Sequence, residues 1–208
     1  VVPWKIIISA SHLASRGSSS LRGHVFSRRK LGVVYGHILV FSGFSILATI
    51  ILSPTFGRDF PSGVDTPTFL HLAWVTEQAV SGALDNPFID PYWYGGFPYL
   101  VAYPPLGYGL IGLISAIPGA SLIVIYQIAL VIAGGGIGAC TFWLGRELGI
   151  RWWMAALAGV LTAISYPVLS SVFLWGWFTS VLALPFSLMA IILLERAARI
   201  GQWRGAAL

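Results

Sequence analysis

Charge is what this sequence most conspicuously lacks. Only 9% of its 208 residues are Asp, Glu, Lys or Arg, against roughly 25% in soluble domains. The deficit excludes an ordinary soluble chain. It is also uneven: residues 31–53, 99–145 and 152–194 contain no Asp, Glu, Lys or Arg at all. Proton and ion carriers place such residues at membrane depth. Here Gln127 is nearly the only strongly polar side chain within the long apolar runs, which argues against a coupled transporter. Cysteine is almost absent too. Cys140 stands alone, so no disulfide forms within the chain and a cysteine-based metal site is excluded. No GxSxG nucleophile elbow occurs. His12, His24, His37 and His71 are scattered without the i, i+4 pairing of a zinc site.

Apolar residues fill the space. They make up 57% of the chain, with a mean hydropathy of +0.82. A bilayer core takes about 20 of them per helix. The chain therefore reads as an all-α polytopic membrane protein, with about five transmembrane helices and a structured first extracytoplasmic loop. The net charge of +5 is not a nucleic-acid footprint. Lys5, Arg16, Arg22, Arg28, Arg29 and Lys30 crowd ahead of the first apolar run, which is the positive-inside signal. Residues 1–30 form a basic cytoplasmic tail whose composition predicts disorder. Leu31–Ser53 follows as an uncleaved first span, too long and too poor in cleavage signals for a secretory leader. Multi-pass insertion in the cell membrane, N-terminus in the cytoplasm, is the expected localisation.

Residues 54–98 then form an extracytoplasmic loop. Five of the chain's seven carboxylates lie there (Asp59, Asp65, Glu77, Asp85 and Asp90) against Arg58 alone. Thr66-Pro67 predicts a helix start, with Asp65 or Thr66 as cap. Phe69, Leu72, Ala73, Thr76 and Val80 recur at helical spacing, and Gly82 ends the run. An amphipathic helix over about 66–82, lying on the outer membrane surface, is expected. Tyr92-Trp93-Tyr94 follows as an aromatic belt at headgroup level.

Residues 99–194 carry four further apolar runs. Tyr99–Ile117 and Ala120–Gly145 are turned by Pro118-Gly119. Trp152 to about Ser171 and Trp177–Leu194 are interrupted by Pro167 and Trp175-Gly176-Trp177. Residues 195–208 are a basic tail, and the chain reads as part of a longer protein. Five crossings put Arg196, Arg199 and Arg204 outside, against the positive-inside rule. Either one run does not cross fully, or sequence beyond Leu208 overrides the bias. Gly134-Gly135-Gly136-Ile137-Gly138-Ala139 formally contains GxGxxA. It lies mid-span rather than between a strand and a helix, so close helix packing through Gly134 and Gly138 is the reading.

Acid–base chemistry has one address, the 54–98 loop. Asp65 stands out: it sits at a helix start, near the membrane surface, beside His71 and an aromatic wall. The helix N-terminus favours the ionised carboxylate that a proton acceptor requires. Asp85, Asp90 and Glu77 read as loop solvation and helix-face charge.

Taken in order, these residues resemble a family. A basic tail and one span precede Gly63-Val64-Asp65 and His71-Leu72. A short helix follows, then Trp93-Tyr94-Gly95-Gly96-Phe97-Pro98, then Tyr103-Pro104-Pro105-Leu106. Leu144-Gly145-Arg146-Glu147-Leu148-Gly149 comes next, ahead of an Ala-rich span. Over roughly residues 30–200 the pattern resembles the N-terminal part of the GT-C-type membrane glycosyltransferases that use lipid-linked sugars. It is most similar to the prokaryotic membrane proteins described as related to 6-pyruvoyl-tetrahydropterin synthase. The resemblance implies transfer of a sugar from a polyprenyl-phosphate donor to an acceptor at the outer face. It makes Asp65 the first candidate catalytic base and Asp59 the second. It gives His71 a phosphate to contact or Asp65 to orient. Trp93, Tyr94, Tyr103 and Pro104 become substrate-binding candidates, the last two shaping a groove for the lipid tail. A divalent metal at the donor phosphate is also implied, although no Asp-x-Asp or Asp-Glu pair supplies a clear ligand motif. Expected partners are membrane lipid, the polyprenyl-phosphate sugar and partner membrane subunits. The competing expectation is a non-catalytic membrane subunit or scaffold whose outer loop docks a partner.

Overall fold

The computed structural model describes residues 19–56, 63–84, 86, 88–93, 96–98 and 105–200, with helix side chains from residue 33 to residue 198. Asp59, Tyr94, Tyr103 and Pro104 lie outside the described residues. Among the described residues seven α-helices follow in order: α1 (Ser19–Leu52), α2 (Thr66–Val80), α3 (Pro105–Ser115), α4 (Leu122–Glu147), α5 (Trp152–Ala163), α6 (Tyr166–Ser170) and α7 (Phe178–Ile200). A short 3-10 turn, Ser53–Thr55, extends α1, and a π-type turn, Ser171–Trp175, extends α6. Among the described residues there is no strand, only an isolated bridge between Asp90 and Phe97. The chain divides into two units at residue 40. The first contributes the N-terminal part of α1. The helix begins at Ser19, inside the segment whose composition predicts disorder. Leu, Arg and Lys are good helix formers, and a helix already nucleated by an apolar span extends at little cost.

The second unit, Phe41–Leu208, holds the core. Four helices are long and apolar enough to cross a membrane: Val33–Thr55, Leu122–Glu147, Trp152–Trp175 and Phe178–Ala198. The chain is accordingly helical and membrane-type, with four such helices among the described residues. Residues 99–104 of the expected Tyr99–Ile117 span lie outside the described residues. Its described helix, α3, has 11 residues and rises about 16 Å, roughly half a bilayer core. Pro105 is its first described residue.

Helix α4 is the hub, packed against α5 and α7. Its glycines make the close approaches. A side chain at Gly135 would strike Ser45 of α1, and one at Gly138 would strike the Phe44 ring. A Cβ on Gly134 would lie 3.1 Å from Ala48, and one on Gly136 3.0 Å from Pro185 of α7. Pro185 is a proline inside a helix, and Gly136 leaves room for its ring. The close packing expected at Gly134 and Gly138 is what the structure shows. Gln127 also has a structural partner: its Nε2 donates to the Thr55 carbonyl at 3.1 Å, closing the end of the first span.

At the opposite end of α4, Arg196 Nε donates to Glu147 Oε1 at 2.7 Å, tying α7 to α4. Both side chains are partly exposed, so the pair contributes about 0–1 kcal/mol. Glu147→Gln is expected to leave the thermal midpoint within a few degrees of wild type in a detergent melt.

Helix α2 follows its sequence signals closely: Pro67 lies in the first turn and Ser81-Gly82 terminates it. Its apolar side does not lie free for a membrane surface. Phe69, Leu70, Leu72, Ala73 and Val75 are buried, and Gly112 of α3 fits so closely that a Cβ there would meet Ala73 O and Thr76. Val80, expected on the apolar face, is 51% exposed. The fold thus hides the α2 face in protein, with α3 as its cover.

Candidate functional site

Asp65 is held at the end of the bundle by the Trp175-Gly176-Trp177 string. The π-type turn ends at Gly176 in the left-handed conformation (φ +71°). Two amides of the first loop pair with this turn: Val64 N–H donates to Leu174 O at 3.0 Å and Asp65 N–H to Trp175 O at 2.7 Å. Gly63 (φ +120°) meets Gly176 so closely that a Cβ on it would lie 2.6 Å from Gly176 Cα. Buried Thr66 shares a side-chain hydrogen bond with Tyr126 of α4. The Asp65 carboxylate makes no capping bond to α2, contrary to the expected cap. Its Oδ2 accepts the Trp177 indole N–H at 3.1 Å instead. The two Trp rings stack with centroids 5.6 Å apart.

His71 has different neighbours. Its Nε2 lies 2.6 Å from Asp90 Oδ2. Asp90 Oδ1 accepts the Tyr92 amide at 2.9 Å, an Asx-type turn. The Asp90 and Phe97 backbones exchange two hydrogen bonds of 2.9 Å. Asp90 is 0% exposed. It is therefore not a solvating loop charge, as its place in a polar loop suggests, but the pivot of the 90–97 turn. The ring centroids of Trp74 and Trp93 stand 5.8 and 5.9 Å from that of His71. Tyr92 packs on Trp74, and Phe97 on Trp93. Of the expected site residues, the structure brings His71 and Trp93 together. It places Asp65 apart from them: six residues along α2 turn the two side chains onto different faces, and no hydrogen bond joins them among the described residues.

Three participants are not assigned from sequence. Trp177 reads as an interruption between spans, and Trp74 as an ordinary helix residue. Asp90 carries a local signal, Asp-Pro-Tyr ahead of Gly-Gly, that marks a turn but not its burial. Among the described residues, no three of His, Cys, Asp and Glu converge as metal ligands. An apolar groove of about 290 Å³ runs between α3 and α7, lined by Leu106, Gly107, Thr179, Leu182, Ala183 and Phe186. It begins beside Pro105, where the resemblance implies a lipid tail. No family model, curated protein or solved structure matches this chain.

Proposed function

We propose that the chain forms part of a membrane transferase that moves a sugar from a polyprenyl-phosphate donor to a hydroxyl acceptor, with Asp65 as the base. The observation that carries the reading is the state of the Asp65 carboxylate. One oxygen is fixed by Trp177 at 3.1 Å, and the other has no partner among the described residues. A fixed carboxylate costs little reorganisation when it accepts a proton. The α3–α7 groove supplies apolar lining for a lipid chain.

Four crossings also give a self-consistent topology. The chain returns to the side on which it starts, so the N-terminal bases, Arg146, Arg151 and the Arg196–Arg204 tail all fall on the cytoplasmic side of a cell membrane. Residues 54–98 and the Trp175-Gly176-Trp177 corner then face outward, satisfying the positive-inside rule that five crossings break.

The test is transfer from a polyprenyl-phosphate sugar by purified protein in proteoliposomes. Asp65→Asn keeps an oxygen for the Trp177 N–H and removes the base. It is expected to lower kcat by a factor of about 10²–10⁴ without changing membrane insertion. Undiminished turnover in that variant overturns the assignment. If, in addition, Trp93→Ala breaks a complex with a partner subunit, the outer loop is a docking surface instead.

A further inference from the structure

The Trp175–Trp177 pair is not arranged like the tryptophans of a membrane belt. A belt indole keeps its N–H at the wet, headgroup end of the ring. The Trp177 N–H turns back into the protein instead, to Asp65 Oδ2 at 3.1 Å. Gly176, in the left-handed conformation between the two residues, lets their rings lie side by side. The rings stack with centroids 5.6 Å apart and planes inclined by 23°. Each ring thus gives one face to the other, yet each residue is still 44% exposed. The pair is a slab whose free faces look away from each other. Asp65 stands at the N–H edge of the Trp177 ring, partly exposed. Its second oxygen has no partner among the described residues. A flat apolar face and a hydroxyl acceptor therefore adjoin at one corner of the bundle.

We infer that this corner seats the acceptor, and that the acceptor is a sugar whose pyranose ring lies by its C–H face on Trp177. The inference rests on the transferase reading and names its acceptor class. A pyranose joins an apolar face and a rim of hydroxyls in one rigid body. With the face on the indole, a rim hydroxyl reaches the free Asp65 oxygen beside that ring's edge. Few convergent polar groups beside an aromatic surface are what fix a ligand's orientation. A quaternary ammonium is a poorer fit. It is held by aromatic faces that converge as a cage, and two rings inclined by 23° do not converge. A linear polyol has the hydroxyls but no flat apolar face. In the transfer step, the seated hydroxyl gives its proton to Asp65 as its oxygen bonds to the donor's anomeric carbon. The carbon–oxygen bond to the phosphate breaks, and its electron pair leaves with the phosphate.

The test uses purified protein in nanodiscs, titrated with the methyl pyranosides of glucose, mannose and galactose. Sorbitol and phosphocholine are the controls. At least one glycoside is expected to saturate the protein and shift the Trp177 indole ¹⁵N–H signal, which Trp177→Phe identifies by its absence. Trp177→Phe keeps a flat ring and is expected to keep binding. Trp177→Leu keeps apolar bulk without the ring and is expected to bind about threefold to tenfold more weakly. The wild-type indole shift carries the test if Trp177→Leu does not fold. Saturation by phosphocholine alone, an equal response to sorbitol, or no response to any glycoside overturns the proposal. So does unchanged affinity in Trp177→Leu.

Turnover separates this from the base assignment. Asp65→Asn keeps an oxygen for a rim hydroxyl, so it binds glycoside and loses kcat. Trp177→Leu raises the acceptor KM above that of Trp177→Phe, although both variants lack the indole N–H. A rise confined to the donor KM would put the donor sugar on Trp177 and overturn the acceptor assignment. Glycoside binding that needs the Trp177 ring, in a protein without transferase activity, upholds the site and overturns the transferase reading. Transfer only to acceptors that are not sugars, beside an inactive Asp65→Asn, overturns the acceptor class and upholds the reading.

Discussion

Gly138→Leu is expected to destroy the native bundle, leaving little monodisperse protein after extraction in mild detergent. The reason is a three-way contact. The Phe44 ring of α1 lies between Gly138 of α4 and Gly159 of α5. A Cβ on Gly159 would come 2.5 Å from Phe44 Cζ and 2.6 Å from Gly138 O, and even a methyl on Gly138 would overlap the ring. Overpacking costs about 1–3 kcal/mol where a side chain can yield, and more where it cannot. A leucine must displace the ring and push two backbones apart. The α4–α5 and α4–α7 contacts are the most extensive in the second unit, so separation there opens the core around Ile137 and Ala139 rather than a margin. Gly138→Ala is the graded version, because the obstacle is the Phe44 side chain and Phe44→Leu can relieve it. The double variant is expected to be more stable than the two single losses added together, a coupling of about 0.5–3 kcal/mol. Additive losses in thermal melts would mean that Phe44 does not fill this gap.

Local signals made much of this legible in the sequence. Small residues at Gly134 and Gly138 require only their spacing to suggest a close helix crossing. Pro67 and Gly82 bracket α2, and Pro118-Gly119 turns the chain, because each acts on its own backbone. Hydropathy marks the Tyr99–Ile117 run as apolar throughout, and the described part of it is the 11-residue helix α3. It failed on the face of α2, since a cover supplied by protein and one supplied by lipid select the same side chains.

The candidate site was less legible because its bonds are distant in sequence. His71 and Asp90 are 19 residues apart, and Asp65 and Trp177 are 112 apart. Nothing within Ile89-Asp90-Pro91 distinguishes a buried carboxylate from a hydrated one. That difference is created when α2 brings an imidazole to it. Similarly, Trp175-Gly176-Trp177 looks like a break between two spans, and it is one. The break exposes the carbonyls of Leu174 and Trp175, and the first loop takes both.

That junction gives the other large effect. Gly63→Ala is expected to release the first loop from the Trp175-Gly176-Trp177 corner. The position penalises alanine twice. Its φ of +120° is one that L side chains rarely adopt, a strain of order 1–3 kcal/mol. The new methyl would also lie 2.6 Å from Gly176 Cα and 2.7 Å from Gly176 N. Those are backbone atoms, and no rotamer change moves them. Gly176 cannot easily shift, since its own positive φ closes the π-type turn and Thr66 packs closely against it. The junction must therefore open, and hydrogen exchange can locate the opening. The amides of Val64 and Asp65, bonded to Leu174 O and Trp175 O, are expected to lose protection while those in the middle of α4 keep theirs. Trp177→Phe is the control. It keeps an aromatic ring beside Trp175 and removes only the indole N–H from Asp65. Both amides should stay protected, and any loss of turnover must then come from a carboxylate that is free to rotate. Under the transferase reading Gly63→Ala lowers turnover more than Trp177→Phe, because one displaces the base and the other only loosens it. Retained protection at Val64 and Asp65 in Gly63→Ala would show that the first loop is not held by this corner.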